Sequence, residues 1–193
     1  MKFPVRKRVC IVADGPSAEL LRMKQLPQTL YVIGVNNASV WLPRCNAYIT
    51  ANPDNRQRHI LNNHRTGVRY FASVPAGYGS ALTRGHQRGP REPNVSFLTQ
   101  SDTFTEDPKK CAGGDSTFAA LNLACHMRAE KIAIIGLDGD DRPRVSGGRP
   151  YIACDPELFA EYTGNAEVVN GSLSSTIDAF PKMGAAQAID WLL

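Results

Sequence analysis

Residues 115–138 read DSTFAALNLACHMRAEKIAIIGLD, and their order sets the class of fold to expect. The first half follows a double glycine, opens with Asp and Ser, and ends in His126 and Arg128. That charge order favours a helix dipole. Phe118, Leu121, Ala124 and Cys125 recur at helical spacing and predict one apolar stripe. The second half contains KIAII, a short continuous apolar run that stops at Gly136. Runs without polar alternation mark strands covered on both faces. A helix that feeds the chain into a buried strand is the repeating unit of a parallel sheet.

Working outward, similar runs occur at 9–13, 30–35, 47–51 and 68–73, with a weaker one at 166–169. Segments 17–23 and 54–63 have helical character, the first with Pro16 near its start and Ser17 or Asp14 as its cap. The expected architecture is therefore α/β: a single-domain, Rossmann-like fold over residues 1–193, mainly parallel, with helices on both faces. Stretches 75–94 and 139–153 are rich in Gly and Pro and predict long loops after strands, of the kind that cover binding sites. The end, GAAQAIDWLL, reads as a helix that closes the core; packing on a second copy, as in a homo-oligomer, is the other reading.

Composition narrows the function classes. With 42% hydrophobic and 21% charged residues, 193 residues can bury a real core. The apolar run in MKFPVRKRVCIVADG breaks at Asp14, too short for a signal peptide, and no stretch is long enough to cross a bilayer. Five cysteines without a Cys-x-x-Cys pair speak against zinc and for free thiols in a reducing compartment. A cytoplasmic protein is expected. Arg56, Arg58, Arg65, Arg69, Arg84, Arg88 and Arg91 crowd one region of a chain with net charge +4. They are not interleaved with enough aromatics to stack on bases, so nucleic acid is not the expected partner.

The expected strands end in polar groups: Asp14-Gly15-Pro16-Ser17, Asn36-Asn37, Asn52-Pro53-Asp54 and Gly136-Leu137-Asp138-Gly139-Asp140. A fifth group, Gly113-Gly114-Asp115-Ser116-Thr117, opens the strong helix. Singly, these are ordinary turn formers and caps. Together they would share one edge of the sheet, where open α/β folds bind ligands. Glycines admit phosphate oxygens to backbone amides, and Asn offers a donor and an acceptor to a ribose or a base. The expected nucleotide contacts are Asp14, Gly15, Pro16, Ser17, Asn36, Asn37, Asn52, Asp54, Gly114, Ser116, Thr117 and Asp138. Asp138, Asp140 and Asp141 could hold Mg²⁺ or form a plain acidic turn. There is no Walker pattern, and no Gly-x-Gly-x-x-Gly follows the first run.

These pieces resemble bacterial sialyltransferases of the type that builds lipooligosaccharide, and a related Rossmann-like group that includes archaeal hydroxymethylpterin diphosphokinases. IVADGPSAELL is similar to their Gly-Asn-Gly-Pro-Ser-Leu opening, VNNA to a Cys-Asn-Gln turn, and ITANPD to an Asn-Pro segment. GGDSTFAALNLACHMRAEKIAIIGLDGD resembles the Thr-Ser-Gly helix with its strand ending Gly-Ile-Asp, and VVNGSLSS the final Pro-Asn-Ser. The matching pieces keep their order. The resemblance implies that Asp14, Asn36 and Asn52 line a cytidine nucleotide site, with Ser116 and Thr117 near the donor's phosphate or carboxylate. The sialyltransferases carry Asn where Asp14 stands, and a His general base in a lid beyond the Gly-Ile-Asp strand. Here the histidines are His59, His64, His86 and His126, none beyond Asp138, and the stretch from there to Val168 is shorter than that lid. His86, in the glycine-rich loop, is the candidate substitute. Tyr151 and Tyr162 are in the lid region but are weak bases at neutral pH.

Three functions follow. The first is a glycosyltransferase-like enzyme with a nucleotide-sugar donor, a CMP-sugar among them, and an acceptor alcohol. The second is a Mg²⁺-dependent diphosphokinase acting on a small alcohol. The third is a nucleotide-binding or scaffold protein that kept the fold without the chemistry.

Overall fold

The computed structural model describes residues 3–51, 53–78, 95–147 and 155–193. They form one eight-stranded sheet, in which every pairing is parallel. The strands are β1 (Arg8–Val12), β2 (Tyr31–Val35), β3 (Ala47–Ala51), β4 (Arg69–Val74), β5 (Val95–Ser101), β6 (Lys110–Ala112), β7 (Lys131–Ile135) and β8 (Glu167–Asn170). Their spatial order is β6-β5-β4-β3-β2-β1-β7-β8. The chain winds outward from β1 to β6, then returns to lay β7 against the other side of β1.

Side-chain alternation explains why helices cover both faces. Val9, Ile11, Ile33, Ile132 and Ile134 point to one face, where they pack with α3 (Ser116–His126) and Phe159 of α4 (Pro156–Ala160). Cys10, Val12, Val32, Ala133 and Ile135 point to the other. There they meet a 3-10 segment, Pro16–Arg22, as well as α1 (Ala38–Trp41) and α5 (Ala185–Leu192). Further along that face, Tyr48 and Tyr70 pack with Ile60 and Leu61 of α2 (Asn55–Asn62). A strand buried on both faces favours apolar side chains, which is why its sequence is a near-continuous apolar run, with a buried polar group such as Ser73 bonded to backbone carbonyls.

The structure corrects several expectations. Strands β5 and β6 were not anticipated: β5 exposes alternate residues and β6 is three residues long, so neither shows a continuous apolar run. Helix α3 has no single apolar stripe, because Ser116 to Ala124 are all buried. It is a core helix, with Phe118 edge-on to Phe104 and Phe159. Such aromatic contacts contribute about 0.5–1.5 kcal/mol each beyond area burial. The segment after β1 is 3-10 rather than α, and its cap is Gly15, without a side-chain bond from Ser17 or Asp14. The C-terminal helix closes the core through Ala185, Ala188, Ile189 and Leu192.

Candidate functional site

Because the chain leaves β1 in one direction and returns on its other side, a crevice opens beyond the carboxyl ends of β1 and β7. Such reversal points are where open α/β sheets bind ligands. A cleft of about 340 Å³ lies there, a size within the range of small-molecule sites. Asp14, Gly15 and Pro16 line it from β1, Asn36 from β2, and Asp54 with Gln57 from the start of α2. Gly114, Asp115, Ser116 and Thr117 line it from the start of α3. The segment after β7 adds Gly136 to Asp140, Arg142 and Arg144.

Two glycines make this convergence sterically feasible. A Cβ on Gly15 would overlap Asp138 Oδ2 and the Gly136 carbonyl, and one on Gly136 would overlap the Ala13 carbonyl. Gly136 also sits at φ +87°. The β1 and β7 exits therefore touch backbone to backbone, with the Gly15 N–H donating to the Gly136 carbonyl at 3.1 Å.

Most carboxylates of the cleft are engaged by the chain itself. Asp14 accepts from Trp41 Nε1 at 2.8 Å, from the Ser146 N–H at 3.1 Å and from the Ser146 hydroxyl. Asp54 caps α2 in a reciprocal box with Gln57. Asp115 caps α3, accepting from the N–H groups of Thr117 and Phe118. Its burial raises the carboxyl above the ordinary range, against the lowering effect of those bonds and of Arg144. Asp138 accepts from the Ser17 and Ser172 hydroxyls and pairs with Arg142 at 3.3 Å. Asp140 also pairs with Arg142, and that hydrogen bond holds its carboxyl below the usual value.

Asn36 differs from all of these. It adopts a left-handed backbone, φ +49°, and its Oδ1 is buried with no hydrogen-bond partner. Neighbouring Asn37 also buries an unpartnered Oδ1, away from the cleft lining. Ser116 Oγ accepts the Ala51 N–H at 2.9 Å, and an accepting hydroxyl still has its proton to donate. Ser17 stands behind the wall, and Asp141 outside it. Asn52, Tyr151 and the candidate base His86 lie outside the described residues.

Among the described residues, no three His, Cys, Asp or Glu side chains are grouped to hold a metal. Asp138 and Asp140 face the Arg142 guanidinium instead. Tyr162 belongs to the core, edge-on to Phe104 and Phe180. His126 stacks on Phe3 and bonds to the Lys110 carbonyl, and burial lowers its pKa. Sequence reasoning missed Arg142, Arg144, Gln57 and Asp115 as cleft residues. Asp115 reads as a plain cap, and the arginines crowd 56–91 in the sequence; the pair in DDRPR, in the loop that follows a strand, is the available clue.

No family model matches the chain, and no curated protein matches it. Among solved structures it is similar to the sialyltransferase CstII from Campylobacter jejuni, determined in complex with the substrate analogue CMP-3FNeuAc. The alignment has a TM-score of 0.52 and covers 92% of this chain and 86% of that one, at 13% identity. The chain therefore has a sialyltransferase-like α/β fold, which is glycosyltransferase-like at the level of architecture. Among the described residues, no helix is long and apolar enough to cross a membrane.

Proposed function

We propose that this protein binds a nucleotide sugar, a CMP-sugar in the first place, and transfers its glycosyl group to an acceptor hydroxyl. In that reaction the acceptor oxygen bonds to the anomeric carbon, the bond from that carbon to the phosphate oxygen breaks, and the nucleotide leaves with the electron pair. The acceptor's proton passes to a base or to water.

The observation that carries this reading is Asn36. A left-handed non-glycine residue and a buried unpaired acceptor each cost free energy, and such costs concentrate at ligand sites. An orphan acceptor calls for a donor, such as a ribose hydroxyl or the exocyclic amine of cytosine. The fold likeness to an enzyme solved with a CMP-sugar analogue supports the same ligand class. The four described cysteines are free, in keeping with a cytoplasmic setting.

The test is thermal denaturation with CMP, CDP, UDP, ATP and GTP, each with and without Mg²⁺. A ligand at 100 times its Kd adds roughly 2.7 kcal/mol. Stabilisation by CMP or CDP without metal, lost in Asn36→Ala, is the expected result. A shift that needs ATP and Mg²⁺ together would replace this reading with the diphosphokinase.

A further inference from the structure

The elements that open onto the cleft have their first amides occupied by the chain's own carboxylates. Asp54 Oδ1 accepts from the N–H groups of Arg56 and Gln57 at 2.7 and 3.1 Å. Asp115 Oδ1 accepts from those of Thr117 and Phe118 at 2.6 and 3.1 Å. Asp138 Oδ2 takes the N–H of Ser17 at 3.1 Å. In folds of this kind, such amides ordinarily receive a bound phosphate. A phosphate arriving here would meet a carboxylate already in place, and like charges repel. Among the described residues, the cationic groups of the cleft wall are Arg142 and Arg144, both on the segment after β7.

That segment is pinned across the cleft by Asp14. The Val145 N–H donates to the Asp14 carbonyl at 3.0 Å, and both the N–H and the hydroxyl of Ser146 donate to its carboxylate. Trp41 Nε1 donates to the same carboxylate and fixes its plane. Arg142 is held from the other side by Asp138, Asp140 and the Ser174 hydroxyl, the last at 2.7 Å. The Arg144 charge reaches Asp115 on the facing wall and favours that carboxylate's ionised form. A guanidinium offers a planar fork of donors that matches phosphate oxygens, and it stays charged at any working pH.

We propose that Arg142 and Arg144 form the phosphate-binding clamp of the cleft, and that Asp14 is the positioning residue that holds Arg144 over it. The ligand's identity as a nucleotide rests on the function proposed above; the clamp does not. Binding would draw Arg142 from its two carboxylates toward the ligand, so affinity should fall steeply with salt.

The experiment is titration calorimetry of the full chain with CMP, cytidine and inorganic pyrophosphate, at low and at physiological salt. Arg144→Ala and Arg142→Ala should each weaken CMP and pyrophosphate at least about ten-fold, the scale of a hydrogen bond to a charged group. Cytidine, which has no phosphate, should bind them as it binds the wild type, and Arg144→Lys should recover part of the loss. Arg56→Ala, exposed and off the cleft wall, should change nothing. Asp14→Ala should weaken CMP by more than it weakens cytidine, and Asp14→Asn should restore most of that difference, because its Oδ1 still accepts from Ser146.

An unchanged ratio of CMP to cytidine affinity in both arginine variants would overturn the clamp and leave the nucleotide reading standing. Arginine-dependent binding of pyrophosphate with no binding of any nucleotide would do the reverse. A wild type that binds neither would remove both.

Discussion

Ser17 and Asp138, 121 residues apart in the chain, meet behind the cleft, where the Ser17 hydroxyl donates to Asp138 Oδ2 at 2.9 Å. The same hydroxyl accepts the N–H of Gly136 at 3.0 Å. One side chain thus joins the exit of β1 to the exit of β7, the two neighbouring strands at the point of reversal beyond which the crevice opens. Ser17→Ala would strand the Gly136 amide and remove one donor from Asp138. A loss of about 1–3 kcal/mol follows, which scanning calorimetry would read as a fall of about 2–4 °C in Tm per kcal/mol. An unchanged Tm would mean that water replaces the hydroxyl at no cost.

Asn36 should separate stability from binding. Asn36→Gly keeps the left-handed backbone open to the chain and should stay within about 1 kcal/mol of the wild type in denaturant melts. Asn36→Ala carries the left-handed penalty of about 1–2 kcal/mol and should be the less stable of the two. Both lose the unpaired oxygen, and both should bind CMP at least about ten-fold more weakly. Retained affinity in Asn36→Gly would dissociate the orphan acceptor from the ligand.

Asp115 makes stability depend on pH with a definite sign. Its carboxyl is raised by burial above the ordinary 3.8, so the folded state holds that proton more tightly than the unfolded chain does. That contribution is full below 3.8 and is lost as pH rises through the native value. Asp115→Asn keeps the acceptor that caps α3 and removes the ionisation. The variant should match the wild type in acid and exceed it at neutral pH, as compared by urea midpoints. An advantage that does not change with pH would rule out ionisation as its source.

The buried thiols should be silent. Burial pushes Cys10 and Cys111 up to about 12, and the thiolate is the reactive form. Iodoacetamide at mildly alkaline pH should leave both unlabelled until the chain is unfolded, with peptide mass spectrometry to assign the sites. Labelling of either in the native state at the rate of an unfolded control would show that the sheet opens there.

Much of this fold was legible because a strand covered on both faces is apolar at nearly every position. Thus KIAII, VCIVA and YVIGV announced β7, β1 and β2 without reference to anything distant. Where that rule relaxes, the sequence went quiet. Strand β5 exposes Phe97 and Thr99 while burying Leu98, and β6 is only three residues at the sheet edge. The 3-10 segment after β1 escaped for a related reason: Pro16 and an apolar Ala-x-x-Leu pattern serve an α-helix and a 3-10 turn alike.

The candidate site divides in the same way. Residue types and order placed Asp14, Asn36, Asp54, Gly114, Ser116 and Asp138 at strand ends and helix starts, and all six line the cleft. What each side chain does was not legible. A sequence shows that a carboxylate is present but not which donors reach it, and those donors come from far along the chain. Trp41 reaches Asp14 from the helix after β2 and Ser172 reaches Asp138 from beyond β8, while Ser146 and Ser17 cross between the β1 and β7 exits, which touch at Gly15 and Gly136. By itself, then, the sequence determined the parallel α/β sheet and the edge that carries its polar residues, since both follow from local burial and turn chemistry. Only the tertiary structure decided which of those polar groups bind one another and which, such as the Asn36 oxygen, remain unpaired, because hydrogen-bond partnership depends on distances that the folded chain alone sets.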